Sequence, residues 1–200
     1  MKKGLQAKDF ITIGLYTVLF YIISMIVGMV VAPVAVASIP YQAGLLFFFG
    51  SIVYLLMAIR VGKRGTIFSM GIILGLIYAV MGAPLMIVIA GCAALLSELI
   101  LAKGDGSQYR NIGRQSVAYS IFGIFYGLGS YMNIYLFGKE SLEKMQMSPD
   151  MVNQLVTYAY SPLWLTISIS FTIVMALLGC FLSKKLLRKH FVKAGYIQYG

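Results

Sequence analysis

Charge is scarce in this chain. Only 11% of its 200 residues are Asp, Glu, Lys or Arg, against about a quarter in a soluble domain. Histidine occurs once, as His190 near the C-terminal end. That removes zinc intramembrane proteases, which need paired His ligands, and argues against a Ser–His dyad inside an apolar segment. Cysteine occurs twice, and both Cys92 and Cys180 sit within apolar stretches. They read as small packed residues, not as a disulfide or a metal site. No Walker A motif is present, because Gly62-Lys63-Arg64-Gly65-Thr66 has the wrong order for a phosphate cradle. Acids number six, and no two of them share an apolar run where they could act as acid and base. The sequence therefore predicts no enzyme, no cofactor, no metal and no ATP hydrolysis by this chain alone.

What is abundant is apolar: 60% of residues are hydrophobic. A transmembrane helix needs about 20 mostly apolar residues. The sequence supplies runs at residues 10–31, 41–59, 67–81, 85–101, 116–137 and 163–182. They predict an all-α integral membrane protein, one transmembrane domain over residues 1–200 with six crossings. The third and fourth runs are short. Gly82-Ala83-Pro84 joins them in a tight turn with proline placed to open the next helix. Two crossings and a re-entrant hairpin both fit them; two crossings fit better, since modest mismatch is tolerated.

The cations are not scattered. Lys2, Lys3 and Lys8 precede the first run; Arg60, Lys63 and Arg64 follow the second; Lys103, Arg110 and Arg114 follow the fourth; Lys184, Lys185, Arg188, Lys189 and Lys193 follow the last. Only Lys139 and Lys144 fall in the alternate connections. Loops rich in Lys and Arg remain cytoplasmic, so the chain is expected to be multi-pass with both termini in the cytoplasm. The formal charge of +10 then faces anionic lipid and not nucleic acid. The start imitates a secretory signal, with Ala35-Val36-Ala37 resembling a cleavage site, but the apolar run is too long for a signal core. Pro33 to Pro40 reads as a retained external loop. The connection from Gly138 to Tyr160 reads as the longest external piece, with a short helix opened by Ser148-Pro149-Asp150.

Small residues recur at four-residue spacing: Ser24, Gly28 and Ala32; Gly71, Gly75 and Ala79; Gly123 and Gly127. Such faces let helices approach closely in lipid. One of these faces could instead dock a membrane partner. The expected external half is rich in rings and amides. Tyr41, Gln42, Tyr78, Tyr126, Tyr131, Asn133, Tyr160 and Trp164 are the candidate solute-binding residues. An aromatic belt explains Tyr and Trp at such depths; an apolar pocket with stacking rings and few polar groups suits a small, flat, largely neutral solute. Glu98 is the one acid within an apolar run. It lies about one turn from Lys103, so it is read as paired with that lysine or solvated at the cytoplasmic edge, with a proton or cation site as the alternative.

The segment Arg64-Gly65-Thr66, Gly71-Ile72-Ile73-Leu74-Gly75, Gly82, Ser97-Glu98-Leu99-Ile100-Leu101, Gly104, Gly106, Tyr109 and Val117-Ala118-Tyr119-Ser120 resembles the Trep_Strep family, also labelled MptD. That family resembles the substrate-binding S components of energy-coupling factor (ECF) transporters. The resemblance implies a subunit that captures a vitamin-like or micronutrient solute from outside. It implies partnership with a membrane scaffold (T) subunit and two cytoplasmic ATPases. Glu98 and Tyr109 become family features at the cytoplasmic edge, and Pro33 to Pro40 a lid. Many S components carry an alanine pair early in the first helix, where the scaffold docks; here that stretch reads Thr12, Gly14, Tyr16, Thr17 and Val18, and the resemblance leaves Ser24, Gly28 and Ala32, toward the external end, as the candidate docking face. A self-sufficient carrier or channel, and a non-transporting membrane scaffold, are the alternatives.

Overall fold

The computed structural model describes residues 4–104, 106–140, 142 and 148–189, and leaves the side chains of Ala35, Val36, Ser130 and Asn133 undescribed. Within these residues the chain is helical, without strands. The elements are α1 (Ala7–Val31), a 3-10 turn (Ala32–Val34), α2 (Ala35–Val61), α3 (Thr66–Val80), α4 (Leu85–Leu101), a second 3-10 turn (Ser107–Tyr109), α5 (Ile112–Phe137), α6 (Pro149–Tyr160) and α7 (Pro162–Leu187). Among the described residues, three stretches are long and apolar enough to cross a bilayer: Ala7–Val34, Ala37–Val61 and Pro162–Leu187, with mean hydropathies of 2.3, 2.1 and 2.3. Helices α3 and α4 are equally apolar but have 15 and 17 residues. At 1.5 Å per residue they are about 22 and 25 Å long, short of a hydrocarbon layer of about 30 Å.

Helix α2 is the centre of the bundle. In its spanning window 61% of residues are buried, against 22% for α1 and 28% for α7. Its core is aromatic. Tyr54 stacks on Tyr119 with centroids 4.3 Å apart, and Phe47 meets Tyr119 at 4.7 Å and Phe122 at 5.6 Å. Helix α7 runs parallel to α2. Gly44 of α2 faces Phe171, Gly179 backs onto Phe48, and Ser51 bonds Ser183 at 2.9 Å. A Cβ on Gly179 would lie 2.6 Å from the Phe48 carbonyl oxygen, so only glycine permits this approach. The small face of α3 is used the same way: a Cβ on Gly75 would lie 2.6 Å from Ile87 Cα of α4. The α3–α4 pair is therefore a tight hairpin, turned at Gly82 with φ +97°.

The segment from Pro33 to Pro40 is not a loop. A 3-10 turn covers Ala32–Val34 and α2 begins at Ala35, with Pro40 inside it. Proline forfeits one backbone bond there, in the second turn, close to the helix end where donors are already unpaired. The expected lid is thus helical. The short helix after Ser148 is present as α6, and the Ser148 hydroxyl accepts from the Met151 N–H at 3.4 Å.

Candidate functional site

One end of the bundle carries most of the charges. The Lys63 ammonium meets Asp9 at 2.6 Å, tying the α2–α3 connection to the start of α1, and Asp9 also accepts from the Gln6 N–H at 2.7 Å. Glu98 is not paired with Lys103 and is not solvated: it is 7% exposed and accepts the backbone N–H groups of Gly65 at 2.7 Å and Phe68 at 3.4 Å. Those donors lie at the N-terminus of α3, where the first backbone N–H groups have no helical partner and the helix dipole favours a negative charge. Gly65, with φ +91°, has no side chain to supply the cap itself, and a carboxylate from α4 takes its place.

The α4–α5 connection is held just as firmly. Gln108 accepts from the Gly106 N–H at 2.7 Å and donates to the Leu101 carbonyl at 3.0 Å. Gln115 accepts from the Tyr54 hydroxyl at 2.5 Å and donates to the Tyr109 carbonyl at 2.8 Å. Asn111 caps α5 through the Arg114 N–H at 3.1 Å. Tyr109 is buried, its hydroxyl without a partner among the described residues; burial, with the Glu98 charge second, pushes its phenol above the usual range.

The opposite end holds a cavity of about 380 Å³ between α1, α2, α5 and the hairpin tip. Its polar groups come from Tyr21, Ser24, Gln42, Tyr78 and Tyr126, and no side chain lining it is charged. Three of them form a relay: the Tyr126 hydroxyl donates to Tyr78 at 2.6 Å, and Tyr78 shares a 2.6 Å bond with Ser24. Tyr21 packs edge-on against Tyr78, centroids 5.2 Å apart. The spacing of α1 puts Ser24 one turn after Tyr21, so both face inward.

Of the eight candidate solute residues, the cavity gathers Gln42, Tyr78 and Tyr126. Tyr41 instead packs on Phe171 of α7. Tyr131 is buried in a separate cluster with Val152, Leu155 and Tyr158 of α6. Trp164 lies against Tyr158, and Tyr160, 62% exposed, against Tyr135. The side chain of Asn133 lies outside the described residues. The face offered for docking is used in part inside the chain: Ser24 belongs to the relay, a Cβ on Gly28 would meet the Gln42 amide at 3.8 Å, and Ala32 alone of the three is exposed. Tyr21 and Met86 were not distinguishable in the sequence from belt or core residues. Helical spacing from Ser24 was the one signal for Tyr21.

Residues 7–193 match the family described as hypothetical bacterial integral membrane protein (Trep_Strep). No curated protein and no solved structure matches the chain. With nearly its whole length matched, and with helices fit to cross a bilayer at both ends of the match, the chain belongs to the Trep_Strep family of bacterial integral membrane proteins.

Proposed function

We propose that this chain is the substrate-capturing S subunit of an ECF-type importer. In this reading the six apolar helices α1–α5 and α7 cross the bacterial plasma membrane, both termini are cytoplasmic, and the aromatic end opens outward. The chain is no enzyme; a membrane scaffold (T) subunit and two cytoplasmic ATPases drive the transport. The observation that carries the reading is the cavity of about 380 Å³, lined by tyrosine hydroxyls, Ser24 and the Gln42 amide and by no charge. It lies at the end opposite the basic loops, and those loops belong in the cytoplasm. Its size is at the small end for ligand pockets, and its chemistry suits an uncharged, flat, vitamin-like solute that stacks on rings and accepts or donates hydrogen bonds.

The test is native mass spectrometry of the protein purified from its cells in mild detergent, with identification of any compound released on denaturation. One copurifying small solute, together with ATPase and scaffold subunits in the same preparation, is the expected result. Solute flux into liposomes containing this chain alone would replace the reading with a self-sufficient carrier. Neither solute nor partners nor flux would leave a non-transporting scaffold protein.

A further inference from the structure

The protons of the hydroxyl relay can be counted. The Tyr126 hydroxyl donates to Tyr78, and Tyr78 shares its second bond with Ser24. A hydroxyl carries one proton and two lone pairs. The three groups therefore hold three protons and spend two of them on these bonds. Tyr126 has given its proton away and keeps only lone pairs. The remaining proton lies on Ser24 when Tyr78 is the donor of their shared bond, and on Tyr78 when Ser24 is. In either arrangement one donor is left over at that pair, and no bond to another described residue takes it.

Gln42 supplies the complement. Its side chain lines the same cavity, is exposed, and makes no hydrogen bond to any described residue. The amide nitrogen stands over Gly28, where an added Cβ would lie 3.8 Å from it. Gly28 follows Ser24 by one turn on the same face of α1, so the amide and the relay stand on the order of 5 Å apart. Two donors that serve both lone pairs of a single carbonyl oxygen, each at about 2.9 Å, are also about 5 Å apart. The spacing fits one carbonyl oxygen held from two sides. The Gln42 carbonyl, beside its own N–H groups, is then left to accept from a donor adjacent to that oxygen.

Resting on the capture reading above, we infer that the solute is recognised by a neutral cis-amide edge: a carbonyl and an N–H side by side on a flat ring, as in a lactam, a ureide or a carboxamide. The carbonyl oxygen takes the left-over relay proton and a Gln42 N–H, and the solute N–H returns to the Gln42 carbonyl. The rings of Tyr21 and Tyr78, edge-on to each other, wall the flat part of the solute. A carboxylate would meet the same donors, but no cation lines the cavity to compensate its burial. An ammonium would face the relay proton with a like charge.

The probes are 2-quinolinone and coumarin, which share a shape and differ in one ring group: N–H in the first, oxygen in the second. The expected result is that the purified protein binds 2-quinolinone about tenfold more tightly, because the oxygen removes a donor and turns a second acceptor toward the Gln42 carbonyl. In Gln42→Leu that preference should fall to within about twofold. Gln42 is exposed and unbonded to the described chain, so the variant should unfold as the unaltered protein does. Partition of each probe into detergent is the same for both proteins, so a change in preference reports the site. Equal binding of the probes by the unaltered protein, or a preference that survives Gln42→Leu, would overturn the inference while leaving solute capture in place. A copurifying solute without an amide edge would do the same. Binding of neither probe would overturn it as well, and the native mass spectrometry above then decides separately whether the protein captures a solute.

Discussion

The two ends of the bundle are built by different means. At the charged end the connections are held by directed bonds from side chains to backbone groups: Glu98 to the start of α3, Gln108 and Gln115 to the α4–α5 connection, Asn111 to α5. At the aromatic end the elements meet through rings and one hydroxyl relay, and space is left between them. Directed bonds have one satisfied geometry and are costly to break when buried. Ring contacts tolerate several arrangements at similar energy. The charged end is thus the fixed end and the aromatic end the adaptable one.

The comparison can be broken most decisively at Glu98. Replacing Glu98 with Ala removes a buried carboxylate that satisfies the α3 N-terminus, and should lower stability by about 2–3 kcal/mol, read as a shift in reversible unfolding in mixed micelles. Glu98→Gln keeps an acceptor and should lose less than half of that. Neither change should alter solute affinity; a loss of binding with Glu98→Gln at intact stability would show that the two ends are not separable. At the aromatic end, Tyr78→Phe removes both bonds of the relay. Its expected effect is the opposite pattern, about a tenfold loss of affinity for 2-quinolinone, equivalent to about 1.4 kcal/mol, with a smaller change in unfolding. A smaller effect still is expected for Asn111→Ala, about 1 kcal/mol of stability through the lost cap of α5. The smallest belongs to Lys63→Ala: its pair with Asp9 is partly exposed and should contribute about 0.5 kcal/mol, falling as salt is raised. A Lys63 effect larger than that of Glu98 would mean that surface charge, and not backbone capping, fixes this end.

The sequence disclosed the fixed end better than the adaptable one. Apolar run length and cation placement marked where these helices lie, with ends off by up to six residues, because apolar run length follows the helices and the connections carry the charge. Glu98 was visible as an anomaly, but its partner was not. Sequence proximity pointed to Lys103, while the donors it satisfies lie on α3, brought close only by the hairpin. Pro33 to Pro40 misled for a related reason. Two prolines suggest a loop, yet Pro40 falls early enough in α2 to be carried. The aromatic residues were indistinguishable by type. Tyr78 and Tyr126 line the cavity, while Tyr131 serves an α5–α6–α7 core, and that assignment is decided by which helices pack, information that no single residue contains.

The Glu98 clasp also has a consequence for the order in which the chain is made. A buried backbone N–H without a partner is expensive, and the start of α3 receives its partner from a residue 33 positions beyond Gly65. While synthesis has reached only the Gly82 turn, α3 exists as a helix whose leading turn is open. It is completed when the last turns of α4 emerge and bring the carboxylate back to where α3 began. The two short helices thus become one closed unit only once the end of α4 is in place.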